Sequence, residues 1–128
     1  MNLLLDTHAL LWWLLGDGSL STSAHDAIGD TRNDVFVSAA SAWEINTKVR
    51  IGKLPGATAI GVDLAAAVEA QGFVPLPISF AHGQMAGALP GPHRDPFDRM
   101  LIAQAMESGM VQVSNEHRFD AYGVRRLW

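Results

Sequence analysis

Asn2-Leu3-Leu4-Leu5-Asp6-Thr7 is the stretch on which the fold of this chain turns. Leu3, Leu4 and Leu5 form a short unbroken apolar run that stops at a carboxylate. A strand apolar on both faces belongs in the middle of a parallel sheet, where helices cover it from either side. In open parallel sheets, ligands bind beyond the carboxyl ends of the strands. Asp6 is expected at such an end, beside Thr7, with an apolar helix starting at His8. A structural duty is open to it as well, because Asp and Thr both cap helices. The question is which other acids reach the same edge.

Working outward, the pattern of a short apolar run followed by a helix repeats. His8 to Leu15 is apolar almost all round and reads as a short buried helix, ended by Gly16-Asp17-Gly18. Ser21 or Ser23 caps a second helix through about Thr31. Val35-Phe36-Val37 is a second strand stopping at Ser38, and a helix follows over 39–50. Ser41 and Glu44 are spaced as a capping box; if Ser38 is the cap instead, Glu44 lies deeper in the helix. Thr58 opens a fourth helix carrying Ile60, Leu64 and Val68 at helical spacing, ended by Gly72. Phe73-Val74-Pro75-Leu76 is a third strand, placed at an edge by its proline. Ser79 caps a helix through about Leu89, and Leu89-Pro90-Gly91-Pro92 is a rigid loop.

Asp95-Pro96 then marks a strong helix start, Asp at the cap and Pro in the first turn. Asp98 falls at the third helical position, where the positive helix end favours an anion. Asp95 is explained by capping, whereas Asp98 is more than the structure needs. Met110-Val111-Gln112-Val113 is a fourth strand, leading into Ser114-Asn115-Glu116-His117, and Gly123 to Trp128 forms a final edge strand. Alternation of strands and helices calls for right-handed crossovers and a parallel sheet of four to five strands with helices on both faces.

Composition narrows the function. The 128 residues, 48% hydrophobic with four Trp, make one domain, 1–128, with a substantial core. No cysteine is present, which removes disulfides, thiolate zinc sites and Cys nucleophiles and fits a reducing cytoplasm. The apolar start of the chain is interrupted by Asp6 and His8 and is too short to span a bilayer, so a cytoplasmic protein is expected. A net charge of −4 carries no polybasic signature, but an acid-rich metal site lowers that total. Neither a dinucleotide fingerprint nor a P-loop occurs. The five His show no paired-ligand spacing and read as surface or helix-end residues rather than zinc ligands. Trp12-Trp13 reads as core.

Asp6, Glu44, Asp98 and Glu116 each fall near the end of a strand or in the first turns of a helix, positions that share one sheet edge. Several carboxylates in one cleft raise one another's pKa unless a cation compensates. The economical cation is Mg²⁺ or Mn²⁺, which orients a phosphate and acidifies a bound water. The plainer account is four unrelated caps and surface acids.

Four longer blocks weigh against that account: LLLDTHALLWW at 3–13, VSAASAWEINTKVRIGKL at 37–54, HRDPFDRMLIAQA at 93–105 and VSNEHRFDAYGV at 113–124. In these blocks, spread over nearly the whole chain, the sequence resembles the PIN-domain ribonucleases, and most closely the VapC toxins of bacterial type II toxin–antitoxin systems. The resemblance implies a three-layer α/β/α sandwich and a metal-dependent endoribonuclease. It implies that Asp6, Glu44 and Asp98 are the first three metal-binding acids. The family's fourth acid is usually Asp in a T-x-D-x-x-F pattern; here Ser114 and Glu116 stand in those places, so Glu116 reaches one methylene further. Arg94, Arg99, Lys48 and Lys53 become phosphate contacts on this reading, and Thr7 and Ser114 hydrogen-bond a ligand or an acid. Partners implied are RNA, a second copy in a homodimer, and a cognate antitoxin whose arginine occupies the acidic site in a hetero-oligomer. The alternative is a catalytically weak PIN-like protein-interaction module, supported only by the altered Glu116. A phosphatase with Asp6 as nucleophile lacks the second Asp it needs, because His8 stands there.

Overall fold

The computed structural model describes residues 1–128. Five strands, β1 (Asn2–Leu5), β2 (Asp34–Ser38), β3 (Val74–Leu76), β4 (Val111–Val113) and β5 (Arg126–Leu127), form one sheet in the order β3-β2-β1-β4-β5. Every neighbouring pair is parallel. β1 is central, with Leu3 beside both Val35 and Val111, and Leu5 beside Val37 and Val113. Leu3, Leu4 and Leu5 are fully buried, as a strand covered on both faces requires. Proline-bearing β3 and short β5 are the two edges.

Alternation along β1 sets the two helical layers. Leu3 and Leu5 pack with Leu10 of α1 (Thr7–Leu15), Ile28 of α2 (Thr22–Gly29), Ile45 of α3 (Ala39–Arg50) and Val68 of α5 (Leu64–Ala70). Leu4 faces the opposite way, onto Leu101, Ile102 and Ala105 of α7 (Pro96–Ser108) and onto Phe119. Phe119 lies in a 3₁₀ turn, His117–Tyr122, and α6 (Phe80–Ala88) packs against α7. The result is the expected three-layer α/β/α sandwich. No helix is long and apolar enough to cross a membrane.

Three local expectations change. The fourth helix divides into α4 (Thr58–Val62) and α5, because Asp63 leaves helical geometry at φ −141° and accepts the Ala66 N–H at 3.1 Å as a new cap. The first helix starts one residue early, at Thr7, and is less buried than its composition suggests: Leu15 is 47% exposed, and Trp12 and Trp13 are half-buried against the core. Two histidines are not surface residues: His82 and His93 are both buried.

Candidate functional site

β1 lies where the strand order reverses direction, so its carboxyl end opens into the crevice in which such sheets bind ligands. Asp6 sits there, both capping the next helix and lining the crevice. Its carboxylate accepts the Ala9 N–H at 2.8 Å, starting α1. Its own N–H donates to the Val113 carbonyl at 3.1 Å, fixing it to the next strand.

Ser38 caps α3, accepting the Ala40 N–H at 3.0 Å, which resolves the open choice between the two serines. Ser41 is therefore inside the helix and lies 3.2 Å from the Thr7 hydroxyl. Glu44, 4% exposed, accepts from Thr7 at 2.6 Å through one oxygen and from the Lys48 ammonium at 2.5 Å through the other. Asp95 caps α7, accepting from the N–H groups of Phe97 and Asp98 at 2.9 and 3.2 Å. α7 leads back into β4, so its amino end stands at the carboxyl edge of the sheet and carries Asp98 with it. Glu116 follows β4, where its carboxylate accepts the Arg118 N–H at 3.1 Å and its N–H donates to Ser114 at 2.9 Å.

All four expected acids line one cavity of about 320 Å³, together with Lys48 and His93. Their mutual influence is visible in their protonation. Asp98 is pushed up to about 7, first by desolvation and then by the charges of Asp95, Glu44, Asp6 and Glu116. Burial raises Asp6 as well, against the nearby Ser114 hydroxyl, the Ala9 N–H and His8, with Glu44 adding to the rise.

A set of carboxylate oxygens that repel one another matches a hard divalent cation in donor chemistry. Ligating geometry is not formed: no three His, Asp or Glu side chains stand close enough to hold an ion. Each acid is instead engaged locally, Asp6 by the Ala9 N–H, Glu44 by Thr7 and Lys48, Asp98 by His93, Glu116 by its own turn. The donor set therefore fits, and binding an ion requires rotation of these side chains.

Sequence reasoning missed Arg118, which lines the same cavity, and His93. Its ring is buried edge-on against Phe119, and its Nε2 lies 3.0 Å from Asp98 Oδ2. The signal was its place five residues before Asp98, straight after a rigid Pro-Gly-Pro loop. Arg99, expected as a phosphate contact, is engaged within the chain: its guanidinium donates to the carbonyls of Ala86, Leu89 and His93 and braces the loop. Arg94 and Lys53 do not line the acid cavity, whereas Lys48 and Arg118 do.

A parallel α/β sandwich with a carboxylate cavity at its switch point defines an acid-site α/β domain. The chain matches the PIN domain over residues 3–124, and it belongs to the PIN domain family. No curated protein matches it. Among solved structures it is similar in fold to VapBC2 from Rickettsia felis bound to a DNA fragment from its promoter. That likeness has a TM-score of 0.66 at 14% identity, over 99% of this chain and 98% of that one. FitAcB from Neisseria gonorrhoeae gives a TM-score of 0.61 at 16% identity, over 98% and 96%. VapBC-1 from nontypeable Haemophilus influenzae gives 0.64 at 11% identity, over 99% and 97%.

Proposed function

We propose that this chain is a metal-dependent endoribonuclease that acts as the toxin of a toxin–antitoxin pair. One observation carries the reading: Asp6, Glu44, Asp98 and Glu116, far apart in the sequence, line a single cavity in which Asp98 is pushed up to about 7. Asp6, Asp98, Glu44 and Glu116 would hold Mg²⁺ or Mn²⁺. When bound, the ion supplies charge for the scissile phosphate and a more acidic attacking water.

The chain's own groups do the rest. Thr7 fixes one oxygen of Glu44, leaving the other to exchange its lysine partner or to orient water. Lys48, so released, stands at the rim as a point charge for a phosphate oxygen. His93 holds Asp98 in place from behind. Likeness in fold to VapBC2, VapBC-1 and FitAcB supports a toxin with a protein partner. An antitoxin arginine set against these carboxylates would replace the cation's charge in fork geometry. A homodimer is the expected form of the free protein.

The test is cleavage of structured RNA by purified protein with Mg²⁺ or Mn²⁺, with and without chelator. Internal cleavage is expected with metal and none with chelator, and Asp6→Asn or Asp98→Asn abolishes it while the protein stays folded. Intact RNA with either metal, from correctly folded wild-type protein, sinks the ribonuclease reading and leaves the protein-interaction module in its place.

A further inference from the structure

A second cavity, of about 420 Å³, adjoins the acid cavity, and His93, Asp95 and Arg118 line both. Its remaining walls include Pro92, Arg94 and Tyr122. Resting on the ribonuclease reading, we propose that this cavity is the subsite for the nucleotide next to the scissile phosphodiester of single-stranded RNA. Arg94 and Arg118 contact its phosphate, and the ring of Tyr122 with Pro92 forms an apolar wall for its sugar and base.

Three observations carry this. The first is the accounting of cations. Of the nine Lys and Arg, Arg32 pairs with Asp30, Arg126 with Asp120 and Lys48 with Glu44, and Arg99 donates to three carbonyls; of the unpaired Arg50, Lys53, Arg94 and Arg125, Arg94 alone lines either cavity. Arg94 is exposed and makes no ion pair or side-chain hydrogen bond. Arg118 is 71% exposed and its one ionic neighbour, Glu116, is 3.6 Å away. On a chain of net charge −4, an unpaired Arg94 and an exposed Arg118 held only by one long ion pair, at the mouth of an acid cavity, are what a polyanion needs to approach it.

The second observation is rigidity. The Tyr122 hydroxyl accepts the His93 N–H at 3.3 Å, and the same ring lies against Gly91, where a β-carbon would come within 2.9 Å of the phenolic oxygen. Arg99 ties the carbonyls of Leu89 and His93 from the other side. The walls are thus set before a ligand arrives, which lowers the entropy lost on binding. The third is continuity. Because three residues line both cavities, a strand crossing the acid site passes into the arginine cavity within one nucleotide, guided by the planar fork that suits phosphate.

The experiment measures binding of a fluorescein-labelled, mixed-sequence, single-stranded RNA decamer by anisotropy over a salt series, with Ca²⁺ in place of Mg²⁺. An Arg94→Ala/Arg118→Ala double variant is compared with wild type. The control is Arg32→Ala/Arg125→Ala, which removes the same two charges from the amino end of the sheet. The arginine-cavity variant is expected to bind about tenfold more weakly, with a slope of log affinity against log salt shallower by about 1.4, two contacts at ~0.7 each. The control is expected to stay within about twofold of wild type. Equal losses in both double variants, or none in the first, overturn the assignment of the cavity. Wild-type protein that binds no RNA sinks the ribonuclease reading itself, which is a different result.

Discussion

Asp98 holds its proton to near neutrality because four carboxylates and burial oppose its charge. An unfolded chain releases that proton near the ordinary 3.8, while the folded one keeps it to about 7. Between those values the native state binds more protons, so its stability falls as pH rises and stays low above 7. Asp98→Asn removes the charge and is expected to stabilise the protein by about 1–2 kcal/mol at pH 8, after allowance for solvent screening of a side chain 24% exposed. Urea unfolding at pH 4 should show no difference, and a variant less stable than wild type at pH 8 would refute the mutual repulsion. His93 is the complementary case. A buried ring 3.0 Å from a site carboxylate fixes that carboxylate's orientation, and such supports typically carry tenfold to a hundredfold in metal affinity. His93→Ala is expected to weaken Mn²⁺ binding, measured by calorimetry, by at least about tenfold, and His93→Gln, which keeps a polar end, to recover part of it. Unchanged affinity in His93→Ala would make the histidine packing alone.

At the scale of elements, caps explain both what the sequence disclosed and what it hid. Apolar runs at 3–5 and 35–37 and the Val111-Gln112-Val113 stretch stop at polar residues, and each is a strand with a turn or helix after it, so those elements were legible. Ser38 against Ser41 was not, because both satisfy the capping pattern and only the end of β2 chooses between them. Asp63 was missed for a related reason. Ile60, Leu64 and Val68 keep helical spacing straight through it, while its side chain competes locally for the Ala66 N–H. α7 shows what a cap does for a site. Asp95→Ala removes the acceptor of two N–H groups and is expected to cost about 1 kcal/mol. It also removes the largest charge raising Asp98, so the Asp98 carboxyl should titrate at lower pH, readable from its ¹³C shift. A helix weakened with no change in that titration would confine Asp95 to capping. The loop before α7 has its own constraint: Gly91 has φ 96°, and its absent β-carbon leaves room for Tyr122. Gly91→Ala is expected to lower stability by about 1–3 kcal/mol in thermal unfolding, from backbone strain and the displaced ring together.

The whole molecule supplies what no local pattern contains, the meeting of residues 6, 44, 98 and 116. Strand–helix alternation predicts a parallel sheet, but only the order β3-β2-β1-β4-β5 brings the ends of β1, β2 and β4 and the start of α7 around one crevice. His93 and Arg118 entered that crevice unnoticed because their roles depend on which loops the order juxtaposes. Convergence has a thermodynamic consequence for the intact protein. A cation that lowers the repulsion would bind the folded chain and not the unfolded one, so on the proposed function Mn²⁺ at about 100 times its dissociation constant should raise stability by about 2.7 kcal/mol. Asp98 near pH 7 is about half protonated, and a metal-bound carboxylate is ionised, so binding must expel protons. Calorimetry at pH 7 in buffers of different ionisation enthalpy should therefore report release of about half a proton per ion, falling towards zero at pH 9, with affinity rising from pH 5 to 8. Asp6→Asn/Asp98→Asn should abolish both the stabilisation and the proton release. Binding of Mn²⁺ with no proton released at pH 7 would place the ion elsewhere on the chain, because an ion among these acids displaces the Asp98 proton.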